Sequence, residues 1–153
     1  MGRRHSGAEE ESAEKEGGLS GNTFDAGGLI ALDRNDRKVI TLLARAAERG
    51  LRTTIPATAL AQAIRNPARQ ARLRRLMRQT STDLVALDGP DATAVGLLLA
   101  RSGTADIVDA HVAVCAQRTG QAIVTSDPGD LRRLSPGLRF GRRLTVGKAP
   151  IGF

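Results

Sequence analysis

The stretch Thr104-Ala-Asp-Ile-Val-Asp-Ala-His-Val-Ala-Val-Cys-Ala116 constrains this chain most. Ile107, Val108, Val112, Val114 and Cys115 leave a helix here greasy over most of its surface, so it is expected to be largely buried. Asp106 and Asp109 stand at its start with a spacing that puts both on one face. Carboxylates near the end of a buried helix are costly unless something positive meets them. An N-cap role for Asp106 with Asp109 paired to an arginine would meet that cost. So would a metal ion. The rest of the chain has to choose between the two.

Order is expected from Asn22. Thr23 and Phe24 read as the end of a short strand, Asp25 follows at its carboxyl end, and Gly27-Gly28 allow a tight turn before a helix beginning at Leu29. The spacing predicts an amphipathic helix over 36–49, stopped by Gly50, and a second strand over 51–55. A short helix over 57–65 carries Gln62, and Pro67 separates it from a basic helix running from Ala68 to about Gln79. A third strand is expected over 82–87 and a helix over 88–100 with Val95, Leu97, Leu98 and Leu99 inward. Gly120 closes the apolar helix. The fourth strand, 121–126, alternates weakly, as a central strand buried on both faces would. It ends in Ser126-Asp127-Pro128-Gly129-Asp130, a turn into a short helix over 131–134, and a fifth strand is expected over 138–146. Strands alternating with helices specify an α/β domain with a mainly parallel sheet of four to five strands.

The chain of 153 residues is one domain of ordinary size, divided here into an extension over 1–21, the domain over 22–146 and a tail over 147–153. The extension gathers Glu9, Glu10, Glu11, Glu14 and Glu16 with few apolar residues, and reads as disordered. With no Trp or Tyr, the core must be built from Leu, Val, Ile and Ala. The single cysteine, Cys115, excludes a disulfide framework and a cysteine-rich zinc site. His111 stands alone in the apolar helix and offers no histidine-based catalysis. No apolar run is long enough to span a membrane and no secretory leader is visible, so the expected location is cytoplasmic. A formal net charge of +7 points to a polyanionic partner. Arg65, Arg69, Arg72, Arg74, Arg75 and Arg78 succeed one another without an intervening acid. Such a run is either a solvated helix face or a surface that contacts phosphates or a protein partner.

Three acidic groups distant in sequence occupy comparable positions. Asp25 follows the first strand, Asp106 and Asp109 open a helix, and Asp127 with Asp130 follows the fourth strand. Parallel strands bring such carboxyl ends to one edge of the sheet, where ligands of open α/β sheets bind. Carboxylates brought together repel unless a divalent cation lies between them, and an oxygen-only set favours Mg²⁺ or Mn²⁺ over zinc. Such an ion activates water against a phosphodiester.

These blocks, Phe24-Asp-Ala-Gly-Gly-Leu-Ile-Ala31, Ala105-Asp-Ile-Val-Asp-Ala-His-Val-Ala113 and Ile123-Val-Thr-Ser-Asp-Pro-Gly-Asp-Leu131, resemble those of PIN domains over roughly 22–145, and of the VapC-like toxins among them. The resemblance implies a PIN-like three-layer α/β/α sandwich. It also implies a Mg²⁺- or Mn²⁺-dependent endoribonuclease, often dimeric and held inactive by a cognate antitoxin. Asp25, Asp109 and Asp127 match the family's metal ligands, with Asp106 and Asp130 able to share those roles and Thr125 and Ser126 in support. Arg65, Arg69, Arg72 and Arg75 would then meet RNA or a partner.

One position departs: where PIN domains carry a glutamate on the helix after the second strand, this chain has Gln62. A neutral amide still ligates or hydrogen-bonds water, but one negative charge is lost. That leaves a second reading, a PIN-fold binding module with weakened or lost catalysis. A phosphoaspartyl enzyme also places Asp after strand one, but the dehalogenase type needs Asp-x-Asp where this chain reads Asp25-Ala26-Gly27.

Overall fold

The computed structural model describes residues 21–141, so most of the acidic extension and the C-terminal tail lie outside the described residues. Strand β1 (Gly21–Phe24) begins one residue before the expected start of order. It is succeeded by α1 (Ala26–Asp33), α2 (Arg37–Glu48), β2 (Arg52–Pro56), α3 (Ala57–Ala63), a 3₁₀ turn (Pro67–Arg69), α4 (Ala71–Met77) and β3 (Thr82–Val85). Then come α5 (Gly89–Ser102), α6 (Ile107–Thr119), β4 (Ala122–Val124) and α7 (Pro128–Leu134). The four strands form one all-parallel sheet in the order β3-β2-β1-β4. Helices flank it in the expected three-layer arrangement. None of them is long and apolar enough to cross a membrane.

In the order of the four strands β1 and β2 lie inside and β4 stands at the end, although Ile123 of β4 is also bonded on its outer side. Weak alternation marked the apolar Ala122–Val124 as central, yet the inner pair carries the buried polar residues Asn22, Thr23, Thr53 and Thr54. Backbone pairing and contacts such as Thr23 Oγ1 donating to Gln121 Oε1 at 2.8 Å satisfy much of that polarity, so hydropathy could not rank the strands. β4 is nonetheless buried along its length. Its Ile123 exchanges backbone hydrogen bonds with Arg139 (2.8 Å) and Gly141 (2.9 Å), the described part of the expected fifth strand.

Helix α6 packs on β1, β2 and β4, with α3, α5 and α7 around it. Ala110, His111, Val112, Ala113 and Cys115 on it are buried, as the apolar pattern demanded, but Ile107 in its first turn is half exposed. Leu97 points outward from α5, 61% exposed, because Val95 and Leu98 already fill that helix's inner face. The basic segment is not one long helix. Gln70 interrupts it: its side chain accepts from the N–H groups of Arg65 (3.0 Å) and Asn66 (3.2 Å) and donates to the Ala63 carbonyl (2.9 Å). The buried amide thereby ties off the end of α3, and the short α4 starts after it.

The two glycines after Asp25 do not form a turn. They lie inside the first turn of α1, which Asp25 caps by accepting from the Gly28 N–H at 2.7 Å. Their lack of a side chain permits close approach: a Cβ on Gly28 would lie 2.4 Å from the Val124 carbonyl oxygen, and one on Gly27 would lie 2.5 Å from Ser126 Oγ. Helix α1 is thus pressed against the end of β4. Gly28→Ala is expected to cost about 1–3 kcal/mol in a urea unfolding series. Gly96→Ala, where an added methyl meets nothing within 4 Å in mid-helix, is expected to gain about 0.5–1 kcal/mol.

Candidate metal centre

The carboxyl ends of β1 and β4 and the N-termini of α1, α6 and α7 meet at one edge of the sheet. Asp25 N–H donates to the Val124 carbonyl (3.2 Å), which joins the first acidic block to the strand that carries the third. Each block uses an aspartate as a helix N-cap. Asp25 caps α1, Asp106 caps α6 by accepting from the Asp109 N–H at 2.9 Å, and Asp127 caps α7 by accepting from the Gly129 N–H at 3.1 Å. Asp109 and Asp130 fall in the first turns of α6 and α7.

Asp25, Asp109, Asp127 and Asp130 line a common cleft of about 220 Å³, together with Gln62, Arg65 and Ser126. Asp25 is its buried floor, Asp109 is half-buried, and Gln62, Asp127 and Asp130 are exposed at the rim. Asp106 does not line the cleft; its carboxylate caps α6 through the Asp109 N–H and acts on the Asp109 carboxyl through its charge. Thr125 lies beneath the rim, where its Oγ1 accepts from the Asp127 N–H at 3.0 Å. Of the basic residues singled out by sequence, only Arg65 reaches this cleft. Arg72 and Arg75 border a separate hollow with Leu32, Ile40 and Leu43, Arg74 and Arg78 rim an apolar one along Leu60, Ile64 and Met77, and Arg69 is exposed on the 3₁₀ turn.

Two of the cleft acids hold their protons unusually well. Burial pushes the Asp25 carboxyl up to about 6, with the Asp127 charge adding to the effect and the Thr125 hydroxyl and Gly28 N–H opposing it. Burial also pushes Asp109 up to about 6, reinforced by Asp106, Asp25, Asp130 and Asp127 in that order. The donor set is oxygen only: four carboxylates and one side-chain amide. That chemistry fits a hard divalent cation such as Mg²⁺ or Mn²⁺, whose charge would offset the mutual repulsion.

A second group could hold a metal by composition. Ligand atoms of Asp91, His111 and Cys115, all buried, lie within 4.8 Å of one another, a closeness that no other such group among the described residues attains. A cation already serves it. Arg118 grips both Asp91 oxygens at 2.6 and 2.9 Å, which holds that carboxyl down at about 2. Burial raises the Cys115 thiol to about 11, so it stays protonated at neutral pH. His111 is not alone: Nε2 meets Asp91 Oδ2 at 3.1 Å and Nδ1 meets Thr58 Oγ1 at 2.7 Å. This network was missed from sequence. Its one signal is the spacing of His111, Cys115 and Arg118, which places non-aliphatic side chains along one stripe of an apolar helix.

No family model matches the chain, and no curated protein matches its sequence. Among solved structures, the chain is similar to a chain of VapBC2 from Rickettsia felis, in a crystal structure bound to a DNA fragment from their promoter. The TM-score is 0.57 at 14% identity, over 80% of this chain and 98% of that one. The fold is shared.

The raised acids have a consequence for stability. Asp25 and Asp109 bind protons more tightly folded than unfolded, so they favour the folded state below about pH 4 and oppose it increasingly as pH rises through about 6. Asp91 acts oppositely: its stabilisation is full above about pH 4 and is lost as pH falls toward 2. In chelator, Tm is expected to fall between pH 4 and 7, and saturating Mg²⁺ or Mn²⁺ is expected to remove most of that fall. Asp25→Asn should flatten it in chelator as well. Thermal scans across that range check this.

Proposed function

We propose that this chain is a Mg²⁺- or Mn²⁺-dependent endoribonuclease and the toxin of a toxin–antitoxin pair. The observation that carries the reading is the meeting of Asp25, Asp109 and Asp127 in one cleft, where burial and neighbouring acids raise the carboxyls of Asp25 and Asp109 to about 6. These three would hold the ion, with Asp130 and the Gln62 amide at the rim and Asp106 adding charge from the α6 cap. When bound, the ion supplies an activated water and neutralises charge on a phosphodiester under in-line attack. The remaining work falls to the chain. The Gly28 N–H fixes one oxygen of Asp25, and Thr125 braces the turn that presents Asp127. Ser126 and Arg65 stand where they can orient a phosphate, Arg65 as the one cation of the cleft lining. Arg69, Arg72 and Arg75 extend positive charge outward for the RNA backbone or for an antitoxin.

The toxin reading draws support from the fold shared with a chain of VapBC2. In this reading the protein works in the cytoplasm as a homodimer beside its cognate antitoxin. Gln62 favours a second reading, a nucleic-acid or protein-binding module with weakened turnover. A neutral amide lines the cleft where the resembled family carries a charge.

Purified protein incubated with a mixed structured RNA separates the two. The nuclease reading expects cleavage with Mg²⁺ or Mn²⁺, none with chelator, and a loss of more than about a hundredfold in Asp25→Asn. Gln62→Glu should raise the rate at low metal. RNA that is retained but uncut under every metal, by folded protein, would decide for the binding module.

A further inference from the structure

The Arg118–Asp91–His111–Thr58 network runs from the last turn of α6, through the first turn of α5 and back to His111 of α6, to the first turn of α3. Its ends matter because α3 carries Gln62 and α6 carries Asp109, two lining groups of the acidic cleft. Helix α3 has seven residues, and its N-cap, Pro56, provides no side-chain hydrogen bond. A helix so short has no stable pose of its own and takes one from its neighbours. Thr58 and Gln62 are four residues apart and share a face of α3, while His111 and Asp109 lie within the first two turns of α6. Gln70 ties the far end of α3 and Ala59 and Ala63 pack inward, so the hydrogen bond of Thr58 is the polar anchor at the helix start, one turn before Gln62.

The imidazole makes a firm anchor. His111 is fully buried and held at both nitrogens. Its Nε2 faces the carboxylate of Asp91, an acceptor, so Nε2 carries a proton, and in the neutral ring Nδ1 accepts from the Thr58 hydroxyl. Asp91 cannot drift, because Arg118 holds both of its oxygens.

We infer that Thr58 and His111 are positioning residues: their hydrogen bond sets the register of α3 against α6 and hence the placement of Gln62 opposite Asp109. The inference deepens the proposed function and rests on its reading of the cleft as a metal site. Removing the hydroxyl frees α3 to shift, and the amide then meets the ion and its water from the wrong place. Partners behind metal ligands are typically worth about 10–100-fold in affinity.

The test uses the full chain, with Mn²⁺ as probe followed by electron paramagnetic resonance, and the Gln62 side-chain amide resonance recorded in metal-free protein. Thr58→Val is expected to weaken Mn²⁺ binding by about tenfold at a temperature where it is folded, and to move the Gln62 resonance. Thr58→Ser, which keeps the hydroxyl, should restore both. Thr58→Ala supplies the same comparison if the valine variant does not fold. A purely structural hydrogen bond would lower Tm and leave affinity and resonance where they were. An unmoved Gln62 resonance in folded Thr58→Val overturns the inference whatever the metal does. Wild-type protein that binds no Mn²⁺ contradicts the metal reading, and the resonance alone then decides the positioning.

Discussion

Asp25 and Asp109 are held partly out of water, Asp25 beside Asp127 and Asp109 within reach of Asp106, Asp25, Asp130 and Asp127, and that electrostatic tension shapes this edge of the molecule. Burial and like charge both disfavour the ionised forms. The parallel sheet produces the arrangement as a matter of topology: β1 and β4 are hydrogen-bonded neighbours, so the segments leaving their carboxyl ends emerge side by side. Helix capping then fixes the carboxylates, since Asp25, Asp106 and Asp127 each accept from the first turn of the helix they begin. The same bonds that start α1, α6 and α7 aim three blocks of acid at one place. Helix N-termini soften the repulsion without removing it.

Asp91 shows the alternative outcome in the same protein. Its exposure, 3%, is close to the 8% of Asp25, yet one carboxyl lies near 2 and the other near 6. The leading causes differ: a guanidinium lowers Asp91, and burial raises Asp25. Arg118 reaches Asp91 with two short hydrogen bonds, and no such partner meets Asp25, whose opposing contacts are a hydroxyl and backbone N–H groups. One buried acid carries its cation on the chain; in the proposed function the other would take one from solution. That contrast gives the cleft its reading.

Much of this was legible in the sequence, for a definite reason. Asp25, Asp109 and Asp127 stand at junctions that lead into helices, and in a parallel sheet such junctions share an edge, so order along the chain foretold proximity. The helices were equally readable from Asp36, Asp88 and the glycines at 50, 103 and 120, the last three at positive φ. The misreadings came where side chains do work that pattern does not encode. Gly27 and Gly28 looked like a turn but serve close packing of α1 on the end of β4. Gln70 looked like one more polar residue on a basic helix but is the buried tie that splits it. Central strands rich in Asn and Thr hid behind an apolar neighbour. His111 looked isolated because Asp91 and Thr58 come from helices that only the fold brings to it. The arginine run, continuous in sequence, is divided among separate hollows because α4 turns its two sides to different neighbours.

The central claim is that burial and neighbouring acids raise the proton affinity of Asp25 and Asp109, and that a divalent cation in the cleft would displace those protons and remove the shift. Carbon-13 NMR of the aspartate carboxyl groups, titrated by pH in chelator and again in saturating Mg²⁺, reads this directly. The account predicts that Asp25 and Asp109 titrate near 6 in chelator, while Asp91 stays ionised to near 2. In Mg²⁺, Asp25 and Asp109 should remain ionised well below that point and Asp91 should not move. Ordinary titration of Asp25 and Asp109 at about pH 4, the same with and without Mg²⁺, would contradict the account.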